Sequence, residues 1–326
     1  VRLRPVGDVS AIGTLAVVTE LLLCERDAGI NVPRQRHLDI TYASGRHVCN
    51  EQLLQMWKRR LDPWPAWPFE FIFDATHYVP GGAVHRVETS QLDRDVHNLF
   101  DRYPPHLQFS QEEHAWGQAR LRDMGIPPHA PFVCLLVRDD AYKATRPRQP
   151  GDPHGTETYR DCDIQNFVLA SEELASRGYW VVRMGAKVRE AIRSRHPMVI
   201  DYATNGRRTD FMDVYLGATC AFCLSTGVGF DEIPSIFRRP IVQVNHAPLG
   251  LIHTFSERFL SLTKRHYSVR ENRELTLREI VASGVLLAEE SQRFSACGVE
   301  LLECTDRKST RLNSSHVSES RMPSSA

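Results

Sequence analysis

Long apolar runs are absent from this 326-residue chain: no stretch approaches the roughly 20 consecutive apolar residues that a bilayer-spanning helix needs. Neither charge sign is in surplus, since 40 Lys and Arg stand against 40 Asp and Glu. Nothing in the overall balance therefore points to nucleic acid or a charged membrane as partner, and arginine-rich spots have to be read locally. The common nucleotide and hydrolase signatures are missing too. No G-x-G-x-x-G follows an apolar run, no G-x-x-x-x-G-K-S/T occurs, and no G-x-S-x-G marks a nucleophile elbow. Histidines His77, His154, His246 and His253 lie in loops without the paired spacing of a metal site. Cysteine is present, but Cys24, Cys49, Cys134, Cys162, Cys220, Cys223, Cys297 and Cys304 are mostly scattered through apolar runs, where a free thiol behaves as a small hydrophobe. That usage fits a reducing, cytoplasmic setting. Cys220 and Cys223 have C-x-x-C spacing, yet ATCAFCLS reads as a strand. Side chains three apart on a strand face opposite ways, so the pair is expected neither to chelate nor to cross-link.

The chain opens on Val1 rather than Met, and the expectation is an open-ended fragment. Its last segment, DRKSTRLNSSHVSESRMPSSA over 306–326, resembles translated sequencing adapter and is expected to be a non-native, disordered tail outside the fold. About 305 residues then remain, and single cores stop growing at roughly 250 to 300, so two domains are expected.

The second half alternates apolar runs with helical ones. PFVCLLV (131–137), YWVVRMG (179–185), MVIDYA (198–203), TCAFCLS (219–225) and PIVQVN (240–245) read as strands. DIQNFVLASEELASRG (163–178), DFMDVYLGA (210–218) and the short FDEIPSIF read as helices between them. Strands apolar on both faces and each followed by a helix predict a parallel, Rossmann-like sheet. In the first half LDITYA (38–43), EQLLQMWKRRL (51–61), FEFIFDA (69–75) and SQEEHAWGQARLRDMG (110–125) read as further alternating strand and helix, with the proline-rich 63–68 as a connector. PPHAP (127–131) marks the boundary, giving domains 1–127 and 128–305. Thr276 and Glu279 form a capping-box pattern at a late helix.

Ligands of parallel sheets sit beyond the carboxyl ends of the strands. That rule gathers Arg138, Arg183, Gly185, Ser225, Thr226 and Gly227 along one edge. Small residues opening a helix offer free amides to an anion, and arginines add bidentate bonds to phosphate oxygens, so a nucleoside diphosphate is the expected guest. Plainer readings stand beside these. Ser225 and Thr226 cap a helix, Gly227 and Gly229 serve a turn, Arg183 closes a rim salt bridge, and Arg160 is solvated. Asp231 and Glu232 either cap the next helix or meet a sugar hydroxyl. The triplet Asp161-Cys162-Asp163 has D-x-D spacing, but it precedes a helix, where Asp163 is simply an N-cap; no metal is expected.

The ordered set 12–29, 49–61, 159–185, 210–245 and 275–280 resembles a family of bacterial glycosyltransferases of surface-polysaccharide biosynthesis. The resemblance implies an α/β fold of two Rossmann-like domains facing across a cleft, GT-B-like. The second domain would hold a nucleotide-sugar donor, and the first a glycan or lipid-linked glycan acceptor. The family's R-M-G falls on Arg183, Met184 and Gly185, its F-M-D on Phe211, Met212 and Asp213, and its small-residue loop on Ser225 to Gly229 with Pro234. Where the family shows I-G-H-L-A, this chain has Gly13 and Thr14, which mark the acceptor side but lack the histidine. The expected activity is metal-independent, cofactor-free glycosyl transfer, with Arg138 and Arg183 stabilising the leaving diphosphate. Arg160, Gly185, Asp213, Ser225, Thr226, Gly227 and Glu232 would hold the donor. No nucleic acid is expected, and peripheral association with a membrane's inner face is. A nucleotide-sugar 2-epimerase of the same architecture, or a catalytically inactive nucleotide-sugar or glycan binder, is the alternative.

Overall fold

The computed structural model describes residues 1–44, 47–89, 94–144 and 157–305. The adapter-like tail and His154 lie outside them.

The chain begins with β1 (Arg2–Asp8), followed by α1 (Ile12–Asp27), β2 (Asp39–Ser44) and α2 (Glu51–Leu61). β1 and β2 pair in parallel, with Arg2 opposite Asp39 and Arg4 opposite Thr41. The Arg2 guanidinium grips the Asp39 carboxylate at 2.8 Å. β1 escapes a reading by hydropathy because two of its inward residues are arginines. α2 starts where the Asn50 side chain accepts from Leu53 N–H at 2.8 Å, a standard N-cap, and ends at Asp62 in the left-handed region. FEFIFDA differs from expectation: it lies in α3 (Ala66–Ala75). The alternation of phenylalanines imitates a strand, but Phe69 and Phe73, four apart on one helical face, both pack on Tyr42. A short α4 (Leu99–Arg102) precedes α5 (Gln111–Asp123), which a reciprocal Ser110–Glu113 capping box opens. Among the described residues the first 127 thus contribute two sheet strands, fewer than a full Rossmann-like domain has.

The second half carries the large sheet. Its elements are β3 (Phe132–Leu136), α6 (Ala141–Ala144), α7 (Val168–Ser176), β4 (Trp180–Arg183), β5 (Val199–Asp201), α8 (Asp210–Thr219), β6 (Phe222–Ser225), α9 (Glu232–Ile236), β7 (Ile241–His246) and β8 (Phe259–Thr263). The order β5-β4-β3-β6-β7-β8 is parallel throughout. Counted from β3, it is 3-2-1-4-5-6, the doubly wound order whose direction reverses between β3 and β6. A small antiparallel sheet of β9 (Arg265–Ser268), β10 (Arg273–Glu274) and β11 (Val299–Leu302) follows, with α10 (Leu277–Ala282) and α11 (Ser291–Ala296). Thr276 and Glu279 cap α10 reciprocally.

The core ignores the boundary near residue 127. Leu15, Leu21 and Leu23 of α1 and Leu53 and Trp57 of α2 share one buried cluster with Val214 of α8 and Ile233 and Ile236 of α9. Polar contacts cross as well: Asn50 Nδ2 donates to the Asp210 carbonyl at 2.9 Å, and Glu51 N–H donates to the Asp210 carboxylate at 2.8 Å. Cys220 does not lie on the strand expected for it. It ends α8, and it shares one buried cluster with Cys223 and Cys134. Burial raises the Cys134 and Cys223 thiols well above their ordinary value, which makes them inert packing groups rather than a redox pair.

Candidate functional site

At the reversal between β3 and β6 a cavity of about 450 Å³ opens. Its floor is the end of β3 (Leu136 to Asp139), one wall is Met184 to Val188 after β4, and another is Val228 to Phe230 with Glu232. The start of α1, Ala11 to Thr14 with Val17, closes it from the first half. Arg208 and Asp213 reach in from α8 and the loop before it. The position follows from the topology: in a doubly wound sheet the loops after β3 and β6 part in opposite directions and leave a crevice.

The start of α1 is chemically open. Ala11 at the N-cap provides no side-chain bond, and no acid occupies the first turn. The first amides of this 16-residue helix therefore keep their partial positive charge beside the cavity. Arg138, Lys187 and Arg208 add cationic side chains to the same lining, and Asp139, Asp213 and Glu232 add acids. Two glycines fit α1 in place. Gly7 has φ +47, and a Cβ on it would lie 2.4 Å from the Thr14 carbonyl oxygen; a Cβ on Gly13 would lie 3.1 Å from that of Gly229.

Asp213 is 5 % exposed. Burial pushes its carboxyl up to about 6, against the pull of Arg208, which sits 2.6 Å away, and of Tyr202. Arg138 is held by Glu157 at 2.6 Å and Asp161 at 3.2 Å, while its backbone N–H donates to Thr226 Oγ1 at 2.9 Å. Asp161 thus holds an arginine, and Asp163 caps the turn at Ile164 by accepting from Gln165 N–H at 2.8 Å.

Of the residues singled out in the sequence, Gly13, Thr14, Arg138, Gly185, Asp213 and Glu232 come together around this cavity. Arg183, Arg160, Ser225, Thr226 and Gly227 are not in its lining. Arg183 is wholly buried, its Nη1 3.3 Å from Asp201 and its Nε and Nη2 without hydrogen-bond partners. It is an internal arginine rather than a rim residue. Arg160 donates to the Gly227 carbonyl at 2.8 Å, and burial lowers its pKa.

The small-residue loop keeps its amides to itself. Thr226 N–H donates to the Leu136 carbonyl at 3.0 Å, Gly227 N–H to Ser225 Oγ at 3.0 Å, and Val228 N–H to the Asp231 carboxylate at 3.2 Å. Ser225 Oγ donates to Asp231 at 2.6 Å. The loop from Ser225 to Gly227 is thus a self-satisfied turn, and Asp231 is its internal cap. Gly227 is required there because φ is +84 and the His246 ring would lie 2.6 Å from a Cβ.

Lys187 and Arg208 of the lining escaped the sequence reading, as did Asp8, which lies next to the start of α1 but outside the lining. Lys187 follows R-M-G by two residues, and Arg208 sits between Asn205 and the helix start, both at loop positions that carry no motif. Asp8 ends β1 at its carboxyl end, exposed, its carboxylate accepting from Ser10 N–H and Oγ at 2.8 Å. The strand-end rule would have found it had β1 been recognised. Thr14 Oγ1 donates to the Asp8 and Ala11 carbonyls at 3.1 and 3.0 Å, so its hydroxyl is engaged in the local turn.

Among the described residues Glu20, Cys24 and His106 are close enough together to suggest a metal. The Arg238 guanidinium already supplies the cation there, 2.5 Å from Glu20 and 3.5 Å from Cys24 Sγ, and His106 joins Glu20 to Asp27.

No protein-family model and no curated protein matches the chain. Several solved structures are similar to it, three of which follow. The glycosyl transferase family 9 protein of Veillonella parvula is 9 % identical, covering 98 % of this chain and 97 % of its own, with a TM-score of 0.49. The Escherichia coli ADP-heptose LPS heptosyltransferase II is 13 % identical over 91 % and 97 %, with a TM-score of 0.43. The E. coli heptosyltransferase WaaC with ADP-2-deoxy-2-fluoro heptose is 13 % identical over 80 % and 93 %, with a TM-score of 0.37. Identities and scores this low leave function to be read from the chain's own residues.

Proposed function

We propose that the chain is a GT-B-like glycosyltransferase that moves a sugar from a nucleoside-diphosphate donor to a surface-glycan acceptor. The observation that carries the reading is one cavity at the reversal of a doubly wound sheet, where an uncapped helix start meets Arg138, Lys187 and Arg208. Cationic residues and uncapped amides lining one cavity suit a diphosphate, and they help most as negative charge grows on it while the bond to the anomeric carbon breaks. The apolar part of the lining, including Val137, Met184 and Val188, suits the flat nucleobase. Asp213 and Glu232, acids of the same lining, are the residues proposed to meet sugar hydroxyls.

Asp8 is the proposed acceptor base. Its carboxylate takes the acceptor hydroxyl's proton as that oxygen bonds the anomeric carbon and the diphosphate leaves. The reading invokes no metal and no cofactor. The engaged hydroxyl of Thr14 favours a second reading, a binder without turnover, in which Asp8 is idle.

Ligand-observed NMR against UDP, GDP, CMP and dTDP sugars tests the donor site. Binding by one class, displaced by its free nucleotide and weakened in Lys187→Ala and Arg208→Ala, is expected; no binding by a folded sample would sink the proposal. Release of nucleoside diphosphate only when acceptor is added separates transfer from inert binding, and conversion of donor without acceptor would instead identify an epimerase.

A further inference from the structure

We propose that two copies of the chain pair through β8, antiparallel across a two-fold axis at Ser261. β8 ends the six-stranded sheet, so one row of its backbone groups has no strand beside it among the described residues. Its stretch F-L-S-L-T carries neither proline nor charge, the devices with which edge strands resist pairing. Leu260 and Leu262 share one face, in register with Val242 and Val244 of β7. Over β3 and β4 that face is covered by α7, whose Val168 and Leu174 join the cluster of Val133, Leu135 and Val181. At the edge, Leu260 stays 58 % exposed and Leu262 51 %. Alternate leucines on an unpaired edge mark a surface that a further strand completes.

The hydrogen-bonding groups select the partner. Ile241 N–H donates to the Arg258 carbonyl at 2.9 Å. Bonding alternates along a parallel ladder, so Leu260 and Leu262 turn their backbone groups to β7, while Phe259, Ser261 and Thr263 turn theirs outward. Two outward groups are already engaged: Phe259 N–H donates to the Ser256 carbonyl at 3.3 Å, and the Thr263 carbonyl accepts from Cys304 Sγ at 3.6 Å. The Ser261 N–H and carbonyl, the Phe259 carbonyl and the Thr263 N–H have no partner among the described residues. Reversed about Ser261, this set matches itself. Ser261 pairs with Ser261 of the second copy through two bonds, and Thr263 N–H of each copy meets the Phe259 carbonyl of the other. The same register sets Leu260 of one copy opposite Leu262 of the other, a patch of four leucines across the axis. It also brings exposed Glu257 of each copy towards Arg265 of the other, whose guanidinium holds Glu274 at 2.6 Å. A surface that complements itself closes as a dimer and grows no further. An extended peptide would use the same bonds, but the two-fold match of leucines and charge is to this chain itself. The inference stands on this edge alone and does not require the glycosyltransferase reading.

Sedimentation velocity of the full chain at micromolar concentrations tests it, and a reversible dimer is expected. Leu260→Lys/Leu262→Lys, at exposed positions whose folding circular dichroism can check, should leave only monomer. Ser261→Pro should do the same, because proline there removes an outward N–H and no bond to β7. Ser261→Ala, which loses only the hydroxyl's 3.2 Å bond to Gln243, should keep the dimer. Glu257→Arg should weaken association about fivefold, and Glu257→Arg/Arg265→Glu should recover it. A parent protein that stays monomeric would overturn the proposal and leave the edge to an extended segment of another protein. A dimer that persists in both the leucine and the Ser261→Pro variants would overturn it too, as would oligomers that grow past two.

Discussion

Arg183 shows how far a residue's place in a strand can be read without its neighbours. A cation ending an apolar run reads as a rim residue, yet this one turns inward, wholly buried, with one contact at 3.3 Å to Asp201. Two of its nitrogens have no hydrogen bond. Arg183→Ala leaves a void and an unmatched Asp201, and should cost about 2 to 4 kcal/mol of stability. Arg183→Met keeps the volume and removes the unsatisfied donors, so it should cost much less. Thermal unfolding of both variants, with donor titration of the folded protein, checks this; donor affinity should hold in both. Asp213 makes a pH prediction. Burial holds its carboxyl near 6, above the unfolded value, so the folded state takes up its proton first. Its contribution to stability is therefore least favourable above pH 6 and improves as pH falls towards 4. The ionised form that would accept sugar hydroxyls disappears over the same window. Donor affinity should fall by up to about tenfold per pH unit below 6, and Asp213→Asn should give a weaker but flatter profile. Buried His246 and His253, both near 4, oppose the stability trend because the folded state keeps them neutral. Isothermal titration across pH 5 to 8 reads the affinity change apart from stability.

Elements whose pattern matched their environment were legible. Apolar runs became β3, β4, β6 and β7, and Thr276 with Glu279 opened a helix. The failures share a cause, which is that two environments can write the same local pattern. FEFIFDA alternates like a strand, but its alternate phenylalanines divide between Tyr42 and the exposed side of α3. RLRPVGD is a strand concealed by arginines that Asp39 and Thr41 neutralise or bond from the next strand. Small residues at 225–227 have the look of a phosphate loop, but the Leu136 carbonyl, Ser225 and Asp231 take up the amides of Thr226, Gly227 and Val228. The open helix start is at α1, and it yields a prediction of opposite signs. Ala11→Asp supplies the missing cap and a favourable charge, and should stabilise the helix by about 0.5 to 1 kcal/mol. The same carboxylate competes with an anionic donor for those amides, so donor affinity should fall while the melting temperature rises. Paired calorimetry and donor titration measure both; affinity that is unchanged or improved would remove the α1 start from the donor site.

At the scale of the whole molecule the boundary near residue 127 was legible as a loop, but not as a division of cores. Linker composition reports where the chain can turn, whereas domain independence depends on which apolar faces meet, and that is a property of packing. Here α1 packs on α9, and Leu21 and Leu23 share a core with Ile233 and Ile236. Phe109, just before α5, stacks on Phe237 with centroids 5.7 Å apart and packs edge-on against Tyr215 at 5.1 Å. Residues after 127 thus complete a cluster begun before it, and the first half's two-stranded sheet is too small to bury α1 and α2 unaided. The expected behaviour is one cooperative unfolding transition, with calorimetric and van't Hoff enthalpies in agreement. Ile233→Ala, in the second half, should remove about 2 to 4 kcal/mol and lower that single transition as a whole. Two resolved transitions, with only the second moved by Ile233→Ala, would mean that the halves fold separately. The cavity would then lie across a joint that can open. A single transition fixes the start of α1 against β3 and β6 as firmly as the core itself, which keeps free amides and arginines in register for one ligand.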